Sequence, residues 1–124
     1  PLFNPTVVDA YNGEIVYIPL VADYLKKKFS ALDIWETLAD YYAREEFINI
    51  VPYPPDDYLK NGFITLSDCN ETNDLDIFVF GSEDRILLAA RFDNLGKGSS
   101  GAAVQNMNLV LGFPENTALE SPTD

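Results

Sequence analysis

The residues whose types and spacing could do chemistry lie between Asp93 and Phe113, where Gly96, Gly98 and Gly101 form a glycine-rich stretch that runs into a helix-forming sequence. Glycine lets a backbone come close to whatever it touches, and a helix N-terminus offers unpaired N–H groups and a positive dipole end. Together these favour a nearby anion by about 0.3 to 1 kcal/mol, or up to about 2 when partly buried. That is too little to hold a dinucleotide, and it suits one wall of a site completed elsewhere. Ser99 or Ser100 stands where an N-cap belongs, Gly112 takes the C′ position and Pro114 follows it. Gly96-x-Gly98-x-x-Gly101 also spells the dinucleotide fingerprint G-x-G-x-x-G. A nucleotide-binding βαβ unit, however, needs a second parallel strand after the helix, and here only a short polar stretch follows. Lys97 is followed by Gly98 rather than Ser or Thr, so the stretch is not a phosphate-binding P-loop. On the helix, Gln105, Asn106 and Asn108 form a polar face opposite Ala103, Val104, Met107 and Val110.

Other reactive groups are poorly supported. Cys69 has Asp68 and Glu71 as neighbours, which raise a thiol pKa, and the chain has no His to act as its base. It reads as a small packing residue. The alternation Asp68-x-Asn70-x-Thr72-x-Asp74-x-Asp76 imitates a calcium loop, but Asn73 fills the position that needs Gly and no Glu stands at the twelfth. The pairs Glu45/Glu46, Asp56/Asp57 and Glu83/Asp84 point apart within their elements and read as solvated surface. No catalytic residue and no metal ligand set is assigned within this chain.

Several elements must position the glycine stretch. Glu14 to Leu20, rich in β-branched and aromatic residues, reads as a strand. Ser30 and Asp33 form a capping-box-like start for a helix at about Ala31 to Glu45, where Leu32, Trp35, Leu38, Ala39 and Tyr42 recur at helical steps. Phe47 to Val51 reads as a strand, three prolines make 52–57 a loop, and Phe63 to Ser67 is a short strand candidate. Leu75 to Phe80 and Arg85 to Phe92 flank Gly81-Ser82-Glu83-Asp84 as a hairpin. Its strands are apolar on both faces, Ile77 and Val79 on one and Phe78 and Phe80 on the other. Such a sheet needs cover on both sides. The helix around Trp35 supplies one cover; a second helix, a second sheet or another subunit is expected to supply the other.

The 124 residues form one domain-sized chain with 47% hydrophobic and 23% charged residues, ordinary for a globular fold. A formal net charge of −12 argues against nucleic acid as a partner. The only basic run, Lys26-Lys27-Lys28, reads as a solvated loop. Apolar runs such as Ile77 to Phe80 are too short to span a bilayer, and no membrane role is expected. The single cysteine excludes an internal disulfide and fits a reducing, cytoplasmic compartment.

The run from Asp93 to Phe113 resembles the C-terminal signature of N-acetyl-γ-glutamyl-phosphate reductases, D-N-L-x-K-G-[AS]-[AS]-[GA]-x-A-V-Q-N-x-N, at every fixed position. Thr72-Asn73-Asp74-Leu75-Asp76 is similar to the family's T-N-x-x-D strand, and Phe3-Asn4-Pro5 to its F-T-P step. The chain differs at Asn4, at Asn12 before Gly13, and at Asp74, where Arg is frequent. Aspartate-semialdehyde dehydrogenases share the architecture, but the D-N-L-x-K-G to V-Q-N-x-N run fits the acetylglutamyl enzymes better.

The resemblance implies an α+β fold, with a mixed, mostly antiparallel sheet carrying helices, like the C-terminal domain of glyceraldehyde-3-phosphate dehydrogenase. It implies a dimerisation domain over residues 1–114, with a cofactor-side helix at about 99–111, while the polar, aperiodic residues 115–124 read as a flexible tail. It also implies an NADP-dependent reaction in arginine biosynthesis, in which a cysteine attacks the acyl phosphate, hydride reduces the thioester and a histidine assists. The family's G-N-P-G-C and H-R-H segments are not found here, and the chain begins at Pro1. It is therefore expected to be an inactive fragment whose partners are a second copy of itself and a nucleotide-binding domain. Gly98, Ser99, Ser100, Gly101, Gln105 and Asn106 are the expected cofactor contacts. The alternative is a stand-alone, non-catalytic dimerisation or binding module of the same fold.

Overall fold

The computed structural model describes residues 3–120; Pro1, Leu2 and the last part of the expected tail, residues 121–124, lie outside the described residues. The order is β1 (Glu14–Val21), α1 (Ala31–Tyr41), β2 (Ile48–Ile50), β3 (Leu75–Gly81), β4 (Arg85–Phe92) and α2 (Gly101–Leu111). One four-stranded sheet has the order β1-β4-β3-β2. β1 pairs antiparallel with β4 from Glu14↔Phe92 to Val21↔Arg85. β4 pairs antiparallel with β3, and β2 pairs parallel with β3. This is the expected α+β class with a mixed, mostly antiparallel sheet.

α1 begins where Ser30 predicts. The Ser30 hydroxyl accepts from Asp33 N–H at 3.1 Å, and the Asp33 carboxylate accepts from Ser30 N–H at 2.8 Å. The Ser30 N–H first, and then the Ser30 hydroxyl donating to Asp33 Oδ2 at 2.8 Å, hold the Asp33 carboxyl below its usual range. The helix stops at Tyr41 rather than Glu45: the Tyr42 N–H still makes the helical bond to Leu38 O, but the Glu45 N–H bonds to Tyr42 O in a tighter turn. Its inner face places Ala31, Ile34, Trp35 and Leu38 against Val79, Ile86, Leu20 and Leu88. Trp35 donates its indole N–H to Val51 O at 2.8 Å, so this half-buried side chain packs without stranding its donor.

The opposite face carries Phe78, Phe80, Ala89 and Ile15, and its cover differs from expectation. Leu59 and Ile64, from the irregular stretch between β2 and β3, pack on it. Residues 63–67 do not form a strand; a single bridge joins Lys60 to Phe63. What holds this stretch down is Arg91, which is 7% exposed. Its guanidinium donates to Asp76 Oδ2 at 3.2 Å and again at 2.5 Å, to Asp68 Oδ2 at 2.7 Å and to Thr65 O at 2.9 Å. It also lies 5.2 Å from the Phe78 ring centroid. Two carboxylates of the calcium-like alternation thus face an arginine. β1 is the open edge, with Val16, Tyr17, Ile18 and Val21 exposed.

Candidate functional site

β4 ends at Phe92, and the chain turns at Asp93 into a π-helical turn, Gly96–Ser100, that feeds α2 without a break. The cap of this composite helix is Asp93, not a serine. Oδ1 of Asp93 accepts the Leu95 N–H at 2.8 Å, and the Gly96 N–H is also bonded to the carboxylate. Oδ2 accepts from Glu71 N–H at 2.7 Å and from Asn12 Nδ2 at 2.9 Å. Burial alone would push the Asp93 carboxyl up, but these N–H groups outweigh it and hold the carboxyl below its ordinary value. The sequence-based expectation of free N–H groups awaiting an anion is therefore corrected, since the chain's own carboxylate occupies them.

The glycine spacing serves close packing inside the chain. A Cβ on Gly96 would lie 2.6 Å from Thr72 O, and one on Gly98 would lie 2.9 Å from Phe92 Cε2. One on Gly101 would collide with Asn73 Oδ1. The approach is to residues 72–73 and to Phe92.

The six nominated positions divide. Gly98, Ser99, Ser100 and Asn106 are exposed along one side of the turn and helix. Ser100 Oγ donates to Leu95 O at 2.7 Å rather than capping α2, and Asn106 Nδ2 donates to Ala102 O at 2.8 Å. Gly101 is buried, and Gln105 is turned inward. Gln105 Oε1 accepts from Asn73 Nδ2 at 2.9 Å and Lys97 Nζ at 2.7 Å, while its Nε2 donates to the Glu115 carboxylate. That amide is spent within the chain.

The expected polarity of α2 is also corrected. Its inward side is polar, with Gly101 and Asn108 buried and Gln105 half-buried, while Ala103, Met107, Val110 and Leu111 face out. Val110 is 85% exposed. Asn108, 2% exposed, donates to Glu115 O at 3.0 Å and Thr117 O at 2.9 Å. Asn73 N–H donates to Glu120 O at 2.9 Å. Residues 115–120, where polar composition suggests a loose tail, are thus tied to α2 and to the turn before β3. Gly112, at φ 74°, ends α2 as expected, with Phe113 N–H donating to Asn108 O.

Lys97 lies half-buried, 5.4 Å from the Phe47 ring centroid. Desolvation lowers its pKa against the pull of Glu115, Asp74 and Glu45. Cys69 is buried, donates to Asp76 Oδ2 at 3.3 Å, and is pushed up to about 12, first by burial and then by the Asp76 charge. Such a thiol is no nucleophile at neutral pH. Among the described residues no group of three or more His, Cys, Asp or Glu could hold a metal, and no helix is long and apolar enough to cross a membrane. Sequence reasoning missed Asp93, Asn12 and Asn73. The signal for Asp93 was present, because an aspartate at a strand end three residues before a glycine-rich helix start is a capping residue.

The family described as semialdehyde dehydrogenase, dimerisation domain, matches residues 1–94. Over 122 residues the chain is 43% identical to N-acetyl-gamma-glutamyl-phosphate reductase 2 of Nostoc sp., covering 96% of this chain and 38% of the relative. Against N-acetyl-gamma-glutamyl-phosphate reductase of Trichormus variabilis it is 42% identical with the same coverages, 96% and 38%. Against the enzyme of that name from Brucella suis it is 38% identical over 114 residues, 90% of this chain and 36% of the relative. The chain spans a little over a third of the length of the curated relatives it matches.

Proposed function

The chain belongs to the semialdehyde dehydrogenase dimerisation-domain family, and from that premise we propose that it is part of an NADPH-dependent reductase. The reaction is reduction of N-acetyl-γ-glutamyl phosphate to N-acetylglutamate semialdehyde with release of phosphate, in the cytoplasm, as a step of arginine biosynthesis. The observation that carries this reading is the inverted polarity of α2. Its polar groups are consumed inside the chain, while Met107, Val110, Leu111 and Phe113, each more than half exposed, form an apolar surface beside the open turn Gly98–Ser100 and Asn106. An unattended apolar face of this kind marks a contact surface. A nucleotide-binding domain of the same protein covers it, and the turn and Asn106 form one wall at the dinucleotide.

Bound NADPH supplies the hydride; this chain's residues shape and close the site. The open edge β1, with Tyr17 54% and Ile18 49% exposed, is the surface for a second copy. Domain boundaries follow: residues 1–114 as the dimerisation unit, with the tail from 115 docked onto it up to residue 120. A stand-alone binding module gives no account of the exposed face of α2.

The test is NADPH oxidation, followed by absorbance, with N-acetyl-γ-glutamyl phosphate. The native protein from its source cells should turn over, and the 124-residue chain alone should not. A native protein without turnover, or an active isolated chain, contradicts the proposal.

A further inference from the structure

No chemistry described above uses the Asp93 carboxylate, which is 3% exposed. It joins three stretches distant in sequence: Asn12 at 2.9 Å, Glu71 at 2.7 Å and Leu95 at 2.8 Å. Beside it, Asn94 Oδ1 accepts from the Gly13 N–H at 2.8 Å, and Asn70 Nδ2 donates to Asn12 Oδ1 at 2.7 Å. Gly13, at φ 105°, is wedged so that a Cβ would lie 2.9 Å from Leu66 O. Gly96 is wedged against Thr72 O in the same way. Residues 12–13, 70–73 and 93–101 therefore meet at one tight corner.

That corner lies just beyond the strand pairing. β1 and β4 already register over their full lengths, from Glu14↔Phe92 to Val21↔Arg85. A buried carboxylate is costly unless its donors are in place, so the corner tolerates one arrangement. What the arrangement fixes is the direction in which the Gly96–Ser100 turn leaves the sheet, and with it the pose of Gly98, Ser99, Ser100 and Asn106.

We propose that Asp93 is a positioning residue, supported by Asn12 and Asn94, that sets the pose of the glycine turn against the bound dinucleotide. The inference rests on the cofactor-facing reading of that turn. Asn12 meets Oδ2, whereas Leu95 meets Oδ1, so a change at Asn12 reaches the turn through the carboxylate.

In the native protein, Asn12→Ala should raise both the KM and the Kd for NADPH about tenfold, as loss of one hydrogen bond to a charged group does, with kcat within about twofold. Amide exchange across 95–100, read by mass spectrometry, should quicken in the same variant. Asn94→Ala, which leaves the carboxylate's own donors in place, should have a smaller effect in the same direction. Asp93→Asn should exceed both; should it fail to fold, the two asparagine variants still decide. A lower Tm with NADPH affinity unchanged makes the corner merely structural and overturns the proposal, whether or not exchange quickens. A wild-type protein that binds no NADPH overturns the reading of the turn instead.

Discussion

Helix α1 turns Ala31, Ile34, Trp35 and Leu38 toward the sheet, whereas α2, of the same eleven residues, turns Gly101, Gln105 and Asn108 inward and leaves Met107, Val110 and Leu111 outside. α1 is capped by its own serine; α2 is capped at a distance by Asp93 through a π-helical turn. The difference separates two kinds of work. α1 completes a core that this chain owns. The position of α2 is fixed by hydrogen bonds to β-sheet loops and to residues 115–120, so its apolar side stays exposed, the face that the proposed nucleotide-binding domain would cover.

Substitutions sharpen the contrast. Trp35→Ala removes a half-buried ring packed on the core and leaves Val51 O without its indole donor, and should destabilise the chain by about 3 kcal/mol in denaturant titration. Asn108→Ala strands the carbonyls of Glu115 and Thr117 and should cost about 1–3 kcal/mol, with faster amide exchange across 115–120. Were its cost near zero, the view that α2 is held by polar bonds would fail. Ser30→Ala removes the cap of α1 and should cost about 1 kcal/mol. Val110→Ser, on the outer side of α2, should change stability of the isolated chain by less than about 0.5 kcal/mol. In the native protein the same change should weaken assembly of the active site.

Both caps carry a carboxylate held below its ordinary value, Asp33 in α1 and Asp93 in α2. Asp93 is held below its ordinary value of 3.8 in the folded chain. Its stabilisation is therefore fully present above that value and is lost as pH falls through it toward the folded pKa. The Tm gap between wild type and Asp93→Asn should be constant at pH 6 to 7 and shrink below about pH 4. A gap that widened on acidification would contradict the assigned role.

Much of the architecture was legible because its signals are local. The Ser30/Asp33 box, the hairpin at Gly81–Asp84 and the left-handed Gly112 each announce themselves within a few residues. The cover over Phe78 was not legible, since Leu59 and Ile64 are held there by Arg91 from β4, a pairing set by the tertiary fold. The face of α2 misled for a similar reason. Amides normally face water and aliphatics the core, but here Asn73, Lys97 and Glu115 supply partners that make an inward Gln105 stable. The glycines were read correctly as allowing close approach, but what approaches is Thr72, Asn73 and Phe92.

Met107, the chain's single methionine and 52% exposed, reports directly on the outer face of α2. The decisive measurement is its oxidation rate by dilute peroxide, resolved by peptide mass, in the isolated chain and in the native protein from source cells. Coverage by a nucleotide-binding domain predicts at least about tenfold slower oxidation in the native protein, since sulfoxide formation follows exposure. Equal rates would show that nothing covers α2 and would contradict the account.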